Sequence, residues 1–261
     1  MRPVTLVTGA SAGIGAELAR VFAANGHELV LVARRTERLT TLADEIAAAG
    51  HIRPIVLPAD LESTDAVAGL AAALTAQGVE PAVIVNNAGF GLMGPAAELS
   101  RVDQLAMIDL NIRALTELSL KFIDSLVRHR GGLLNVASVA AFMPSPRMAV
   151  YYATKAYVLS FSQALHQELA RQGVRVTTLC PGPVATEFQD RAGFQLDGTQ
   201  GLLALPAREV ADIGYRGFAR GKRVVIAGFG NRVAVALMRF LPNALLLPLI
   251  DKGTRRMAHR T

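Results

Sequence analysis

The chain has no tryptophan and one cysteine, Cys180, in 261 residues. One thiol cannot close an internal disulfide, so no covalent framework holds this fold, and a reducing cytoplasm is the expected setting. The five histidines (His27, His51, His129, His166 and His259) are scattered without metal-ligand spacing, and no zinc site is expected. Aromatic residues are only 5%, too few for base-stacking platforms, and no recognition module accompanies the basic charge, so nucleic acid is not an expected partner. A spanning helix needs about 18 uninterrupted apolar residues. The nearest run, Val233 to Ile250, is broken by Arg239, Pro242, Asn243 and Pro248. The opening MRPVTLVTGAS enters a strand at once and lacks the layout of a signal peptide.

What is present fits one well-packed domain. Hydrophobic residues make up 51% and charged residues 18%, enough to fill a large core, and α/β folds of this length commonly stay undivided. The net charge of +6 is unevenly placed: residues 206–261 hold 11 basic and 3 acidic side chains, whereas the preceding 205 hold 16 and 18.

Short β-rich runs alternate with helical stretches. Strands are expected at 4–8, 28–33, 52–58 (weakened by Pro54), 82–87, 132–138, 174–180 and 223–228, with helices at 14–25, 37–49, 64–76, 102–128, 150–171 and 207–219 between them. Continuous apolar strands alternating with helices predict a doubly wound, Rossmann-like parallel sheet of about seven strands with helices on both faces. Residues 1–228 read as this domain. Residues 229–261 read as a basic, apolar helical extension packed on or beside it.

The first strand runs into TGASAGIG, with glycines at 9, 13 and 15, and then directly into a helix. Such a turn lets backbone amides approach a pyrophosphate at the positive end of the helix. The spacing is G-x-x-x-G-x-G, so the turn gains its meaning from its place in the first strand–turn–helix unit. About 20 residues on, an acidic side chain would mark an NAD-preferring site. This chain has Arg34 and Arg35 there, whose guanidiniums suit a 2′-phosphate. Glu37 lies close enough to oppose that preference.

Tyr151 and Lys155 stand four residues apart in VYYATKAY, and Ser138 lies 13 residues upstream of the tyrosine. A helix places i and i+4 on one face, and a nearby positive charge in a desolvated site favours the phenolate. Tyr152 breaks the four-residue spacing, so the proton-transfer role falls to Tyr151.

TGASAGIG, NNAG at 86–89, Asn111, Ser138, Tyr151-x-x-x-Lys155 and PGPVATE at 181–187, in that order, resemble the short-chain dehydrogenase/reductase family over about residues 3 to 228. The resemblance implies hydride transfer between a nicotinamide and a carbonyl or alcohol carbon. Tyr151 would act as general acid/base, Ser138 would hold the substrate oxygen, Lys155 would lower the Tyr151 pKa and bind the nicotinamide ribose, and Asn111 would kink a helix and hold a water linking Lys155 to solvent. Cofactor contacts are implied at Gly9, Ser11, Ala12, Gly13, Ile14 and Gly15, at Arg34 and Arg35, at Asp60 and Leu61 on the adenine side, and at Asn87, Ala88 and Gly89. Tyr151, Lys155, Pro181, Gly182, Val184 and Thr186 complete that set. Ala12 stands where many NADP-preferring members carry a basic residue, so an NADP(H) preference rests on Arg34 and Arg35. A homodimer or homotetramer built on 102–128 and 150–171 is also implied.

Phe142, Met143, Met148 and Phe188, with Phe194, Leu196, Leu202, Leu203 and Leu205 in the lid region, suit a lipophilic ketone, aldehyde or acyl chain. The same residues equally suit packing of a lid onto the body. The tail, where Arg232, Arg239, Lys252, Arg255 and Arg256 alternate with apolar segments, fits a cleft cover, a subunit interface or peripheral contact with an anionic membrane. GFGN at 228–231 reads as a turn. Outside catalysis, the alternatives are a nucleotide sensor without turnover and a lipid-surface binding protein.

Overall fold

In the first crossover, Val4, Leu6 and Val7 bury the strand β1 (Arg2–Thr8), and the chain turns through Gly9 to Gly13 into the helix α1 (Gly13–Ala24). The computed structural model describes residues 1–193, 198–238 and 240–258, the side chains of 190–191, 198–200, 249 and 253–258 excepted. The same unit repeats as β2 (Leu29–Ala33), α2 (Thr36–Ala48), β3 (Ile55–Pro58), α3 (Ala66–Ala76) and β4 (Val79–Asn86). The second half adds β5 (Gly132–Val136), β6 (Arg175–Cys180) and β7 (Val224–Ile226), all parallel, in the order β3-β2-β1-β4-β5-β6-β7. Strand order reverses between β1 and β4, so the crossovers diverge there and leave a crevice beyond the carboxyl ends of the strands.

Alternation along each strand divides the core between two faces. Leu6, Val30, Val32, Ile84, Leu133 and Val176 pack on one side; Val7, Leu29, Leu31, Val85, Leu134 and Leu179 pack on the other, against α1, α2 and α10 (Ala207–Ala219). β3 begins at Ile55, just past Pro54, which has no N–H for the ladder. β4 starts earlier than expected and takes in Pro81, where its register with β1 shifts.

The single helix expected at 102–128 is instead three α-helical pieces and a π-turn. α4 (Arg101–Ile108), capped by Ser100, passes through a π-helical stretch at Asp109–Ala114 into α5 (Leu115–Lys121), and a break at Phe122 starts α6 (Ile123–Arg128). The apolar periodicity runs through both irregularities, so the pattern alone reads as continuous. α7 (Ala149–Leu169) is unbroken. α8 (Glu187–Ala192) and α9 (Gly198–Leu203) precede α10, and the tail forms α11 (Phe229–Met238) and α12 (Asn243–Ala258), with Pro248 inside the latter. Phe194, Leu196 and Arg239, and the side chains of Arg255 and Arg256, lie outside the described residues. No helix among the described residues is long and apolar enough to cross a membrane.

Candidate active site

A cleft of about 1020 Å³ occupies the crevice, lined by the glycine-rich turn, the ends of β2, β4, β5 and β6, α7, α8 and the tail helices. At the turn, Gly9 and Gly13 take positive φ (64° and 55°), which side chains disfavour. A Cβ on Gly15 would stand 2.2 Å from the Gly9 carbonyl oxygen, and one on Gly9 would stand 2.8 Å from Asn87 Nδ2. Asn87 Nδ2 donates to the carbonyls of Thr8 and Gly9 at 3.0 and 3.3 Å, and the Thr8 hydroxyl accepts the N–H groups of Asn87 and Ala88 at 3.0 and 3.1 Å. These bonds lock the ends of β1 and β4 together. α1 begins on Ala12 with no side-chain cap and no acidic residue in its first turn. Its leading N–H groups and positive dipole end therefore face the cleft. A cradle without side chains at the uncapped end of a helix fits a pyrophosphate, so the turn fits a dinucleotide.

Beyond the turn lies a rim of guanidiniums. Arg35 reaches Ser11 Oγ through Nε (3.3 Å) and Nη2 (3.1 Å) and Glu187 through Nη1 (2.8 Å); Arg38 also binds Glu187; Arg34 pairs with Glu62 at 3.1 Å. Asp60 lines the same end, and its carboxylate accepts the Glu62 N–H at 3.1 Å. Leu61 is buried beside it.

At the other end, Ser138 caps the 3₁₀ turn Val139–Phe142: its Oγ accepts the Ala140 N–H at 3.1 Å and donates to the Pro181 carbonyl at 3.5 Å, with the Tyr151 hydroxyl close by. Tyr151 and Lys155 occupy successive turns of α7 and are buried. Lys155 Nζ donates to the Val136 carbonyl at 3.0 Å and lies 5.8 Å from the Tyr151 ring centre. Burial pushes the Tyr151 hydroxyl well above its usual range, against a smaller opposite pull from the nearby Ser138 hydroxyl. Burial lowers Lys155 to about 8. The net shift of Tyr151 is upward, so desolvation outweighs the lowering expected from Lys155. Desolvation dominates both groups, and the ammonium is bonded to a main-chain carbonyl rather than to the phenol.

Phe142 and Asn111 do not line the cleft. Phe142 is half-buried against the cluster of Leu115, Ala137, Ala141, Val158, Leu159 and Cys180, because the 3₁₀ turn directs it behind Ser138. Asn111 lies within the π-turn and is buried. Its Nδ2 donates to the Phe90 carbonyl (2.9 Å) and Thr154 Oγ1 (3.0 Å), and its Oδ1 accepts the Phe90 N–H (3.1 Å). Its side chain is thus a clamp between the residue after the NNAG segment and α7, with both Nδ2 hydrogens in use. The expected cofactor contacts, together with Ser138, Met143, Met148, Phe188 and Leu203, line the cleft, whereas Leu202 is exposed and Leu205 packs on the core cluster beside α1 and α10.

Residues 3–195 match the family model for short chain dehydrogenases. The chain belongs to the short-chain dehydrogenase/reductase family. It is 39% identical over 210 residues to the NADP-dependent 3-hydroxy acid dehydrogenase of Salmonella typhi, spanning 76% of this chain and 83% of that one. Sulfoacetaldehyde reductase 2 of Chromohalobacter salexigens is 37% identical over 191 residues, 72% of this chain and 75% of the relative. A solved short-chain dehydrogenase from Sphingobium yanoikuyae in complex with NADPH is similar with a TM-score of 0.79 and 32% identity, covering 93% of this chain and 97% of that one. As a short-chain dehydrogenase the protein is an oxidoreductase acting on CH–OH groups with NAD(P).

Sequence reasoning passed over several residues of this dehydrogenase's cleft. Arg38 sits one turn beyond Arg34 and Arg35, an i+3/i+4 spacing that was legible. Glu187, at the end of PGPVATE, meets that rim from another crossover. Ala234, Val235, Met238 and Ile250 bring the tail onto the cleft wall. Asn231, in the supposed turn GFGN, is buried and donates to the carbonyls of Ala227 and Leu203 at 2.8 and 3.2 Å; a Cβ on Gly182 would collide with it.

Proposed function

We propose that the protein is an NADP(H)-dependent carbonyl reductase or alcohol dehydrogenase for a lipophilic ketone, aldehyde or 3-oxoacyl substrate, with Tyr151 as its acid/base. The observation that carries this reading is the buried Tyr151 hydroxyl, set close to Ser138 beneath an apolar wall of Met143, Met148, Phe188, Leu203 and Met238. Bound NADPH supplies the hydride. In reduction, Ser138 Oγ holds the substrate oxygen and Tyr151 gives its proton to that oxygen as charge develops there. A hydroxyl whose pKa is raised by burial stays protonated across the neutral range and so remains a ready donor. Lys155 holds the Val136 carbonyl and, near pH 8 or below, supplies the positive charge that stabilises the tyrosinate left behind.

Two of the relatives named above are, by name, a 3-hydroxy acid dehydrogenase and a sulfoacetaldehyde reductase, whose substrates carry an acid group. Here the cleft-lining cations other than Lys155, among the described residues, are Arg34, Arg35 and Arg38, all at the cofactor end. That placement favours an uncharged substrate. The NADP(H) preference is supported by the same three guanidiniums, of which Arg35 binds Ser11 Oγ. Exposed Val102, Leu105 and Leu120 on α4 and α5 support a homodimer or homotetramer built there. The outward face of the tail, with Phe229 76% and Phe240 87% exposed, leaves a separate apolar surface for a subunit or an anionic membrane.

The deciding experiment is oxidation of NADPH and NADH by the purified protein against ketones, aldehydes and 3-oxoacyl thioesters of graded chain length. Turnover that prefers NADPH and rises with chain length is the expected result. Turnover confined to short acidic carbonyls would replace the lipophilic reading.

A further inference from the structure

Glu187 reaches the arginine rim from the far side of the cleft, 152 residues along the chain from Arg35. Its Oε2 accepts from Arg35 Nη1 at 2.8 Å and its Oε1 accepts from Arg38 Nη1, so two guanidiniums hold both oxygens of one carboxylate. The fork that fits a carboxylate in this way also fits a phosphate monoester. Hydrogen bonds from Arg38 and then Arg35 hold the Glu187 carboxyl below its usual range, so it is charged at neutral pH.

The position of Glu187 in the chain gives this pairing a second meaning. Thr186 caps α8 and lies against the glycine-rich turn, where a Cβ on Gly13 would stand 3.1 Å from its methyl carbon. Phe188 packs its ring 5.4 Å from that of Tyr151. Three consecutive residues therefore touch the phosphate cradle, the guanidinium rim and the acid/base tyrosine.

We propose that Glu187 is a specificity-determining latch: its carboxylate competes with the 2′-phosphate of NADP(H) for Arg35 and Arg38, and the start of α8 leaves the rim when the phosphate takes them. The proposal rests on the NADP(H) reading above and deepens it. NAD(H), with a hydroxyl at that position, cannot displace a bidentate carboxylate and leaves the latch closed. Discrimination between the cofactors is then the difference between a guanidinium–phosphate and a guanidinium–carboxylate pairing, smaller than the arginines alone would give. Arg35 and Glu187 side chains are 44% and 47% exposed, so solvent and salt screen the competition and the effect is a modest one.

Calorimetric Kd values for NADP⁺ and NAD⁺ test this on the full chain at low and high salt, in the wild type, in Glu187→Gln and in the Arg35→Ala/Arg38→Ala double variant. Glu187→Gln should tighten NADP⁺ by about 3- to 10-fold at low salt, less at high salt, and leave NAD⁺ within about 2-fold. The double variant should weaken NADP⁺ about 10-fold or more, and Glu187→Gln should add nothing on that background. NADP⁺ affinity that is unchanged or weaker in Glu187→Gln, or equal tightening of both cofactors, overturns the latch while leaving the arginine preference standing. An unchanged NADP⁺/NAD⁺ ratio in the double variant overturns the NADP(H) reading and the latch with it.

Discussion

At the cofactor end of the cleft one methyl group is too much: a Cβ on Gly15 would lie 2.2 Å from a backbone oxygen, with no flexible side chain to yield. At the substrate end Met143, Leu203, Val235 and Met238 meet around open space, and many apolar side chains would fill it as well. The first end is specified by backbone clearance and by the hydrogen bonds of Thr8 and Asn87, the second by volume and polarity. Tyr151 stands where the two meet, with its hydroxyl close to Ser138 and its ring against Phe188 of α8. An end fixed by clearance admits few sequences and so writes a motif. An end fixed by volume admits many and writes none.

Substitutions can break this contrast or sharpen it. The largest effect belongs to the junction: Tyr151→Phe should lower kcat by about 10²- to 10⁴-fold with cofactor Kd unchanged, read by steady-state turnover beside calorimetry. Comparable turnover in the variant would remove the acid/base assignment. At the rigid end, Gly15→Ala should cost about 1–3 kcal/mol in cofactor affinity or in folding stability, measured by titration and urea unfolding; a silent substitution would show that the turn yields. At the permissive end, Met238→Ala should leave stability nearly intact and shift kcat/KM toward bulkier substrates by about 3- to 10-fold. Equal loss for all chain lengths would mean the tail holds the fold and not the substrate.

The smallest effect is a pH slope. Lys155 falls from 10.5 to about 8 on burial, so above pH 8 the unfolded chain carries a proton that the folded one lacks, and its contribution makes stability rise with pH. Cys180, pushed up by burial from 9.0 to about 12, works in the opposite sense from about pH 9. Tyr151, raised from 10.0, joins it higher still. Urea unfolding of the cofactor-free protein between pH 8 and 9 should therefore show a rise in stability that Lys155→Met abolishes; parallel profiles would mean that Lys155 is solvated.

The same contrast explains what was legible. The sheet, the glycine-rich turn, the NNAG segment and the Ser138, Tyr151 and Lys155 set were readable because each depends on clearance, strand burial or helical spacing. The π-turn at Asp109–Ala114 was hidden because Leu110, Ala114, Leu115 and Leu118 keep an apolar helical rhythm through it. Phe142 was misplaced because a four-residue 3₁₀ turn decides which way it faces, and composition carries no sign of that turn. Glu187 was missed because its partners lie in another crossover, and the tail because its apolar residues suit a wall, an interface or a membrane face equally.

One buried atom gives the molecule a built-in clock. Cys180 is the sole thiol of the chain; its residue is fully shielded and lies beside the Ser138 backbone at the floor of the active site. A thiol reagent therefore reaches sulfur only when the ends of β5 and β6 part, and the labelling rate reports how often the catalytic floor opens. Because a single sulfur reacts, the time course has one phase, and its slowing by a bound dinucleotide measures how firmly the cofactor holds that floor shut.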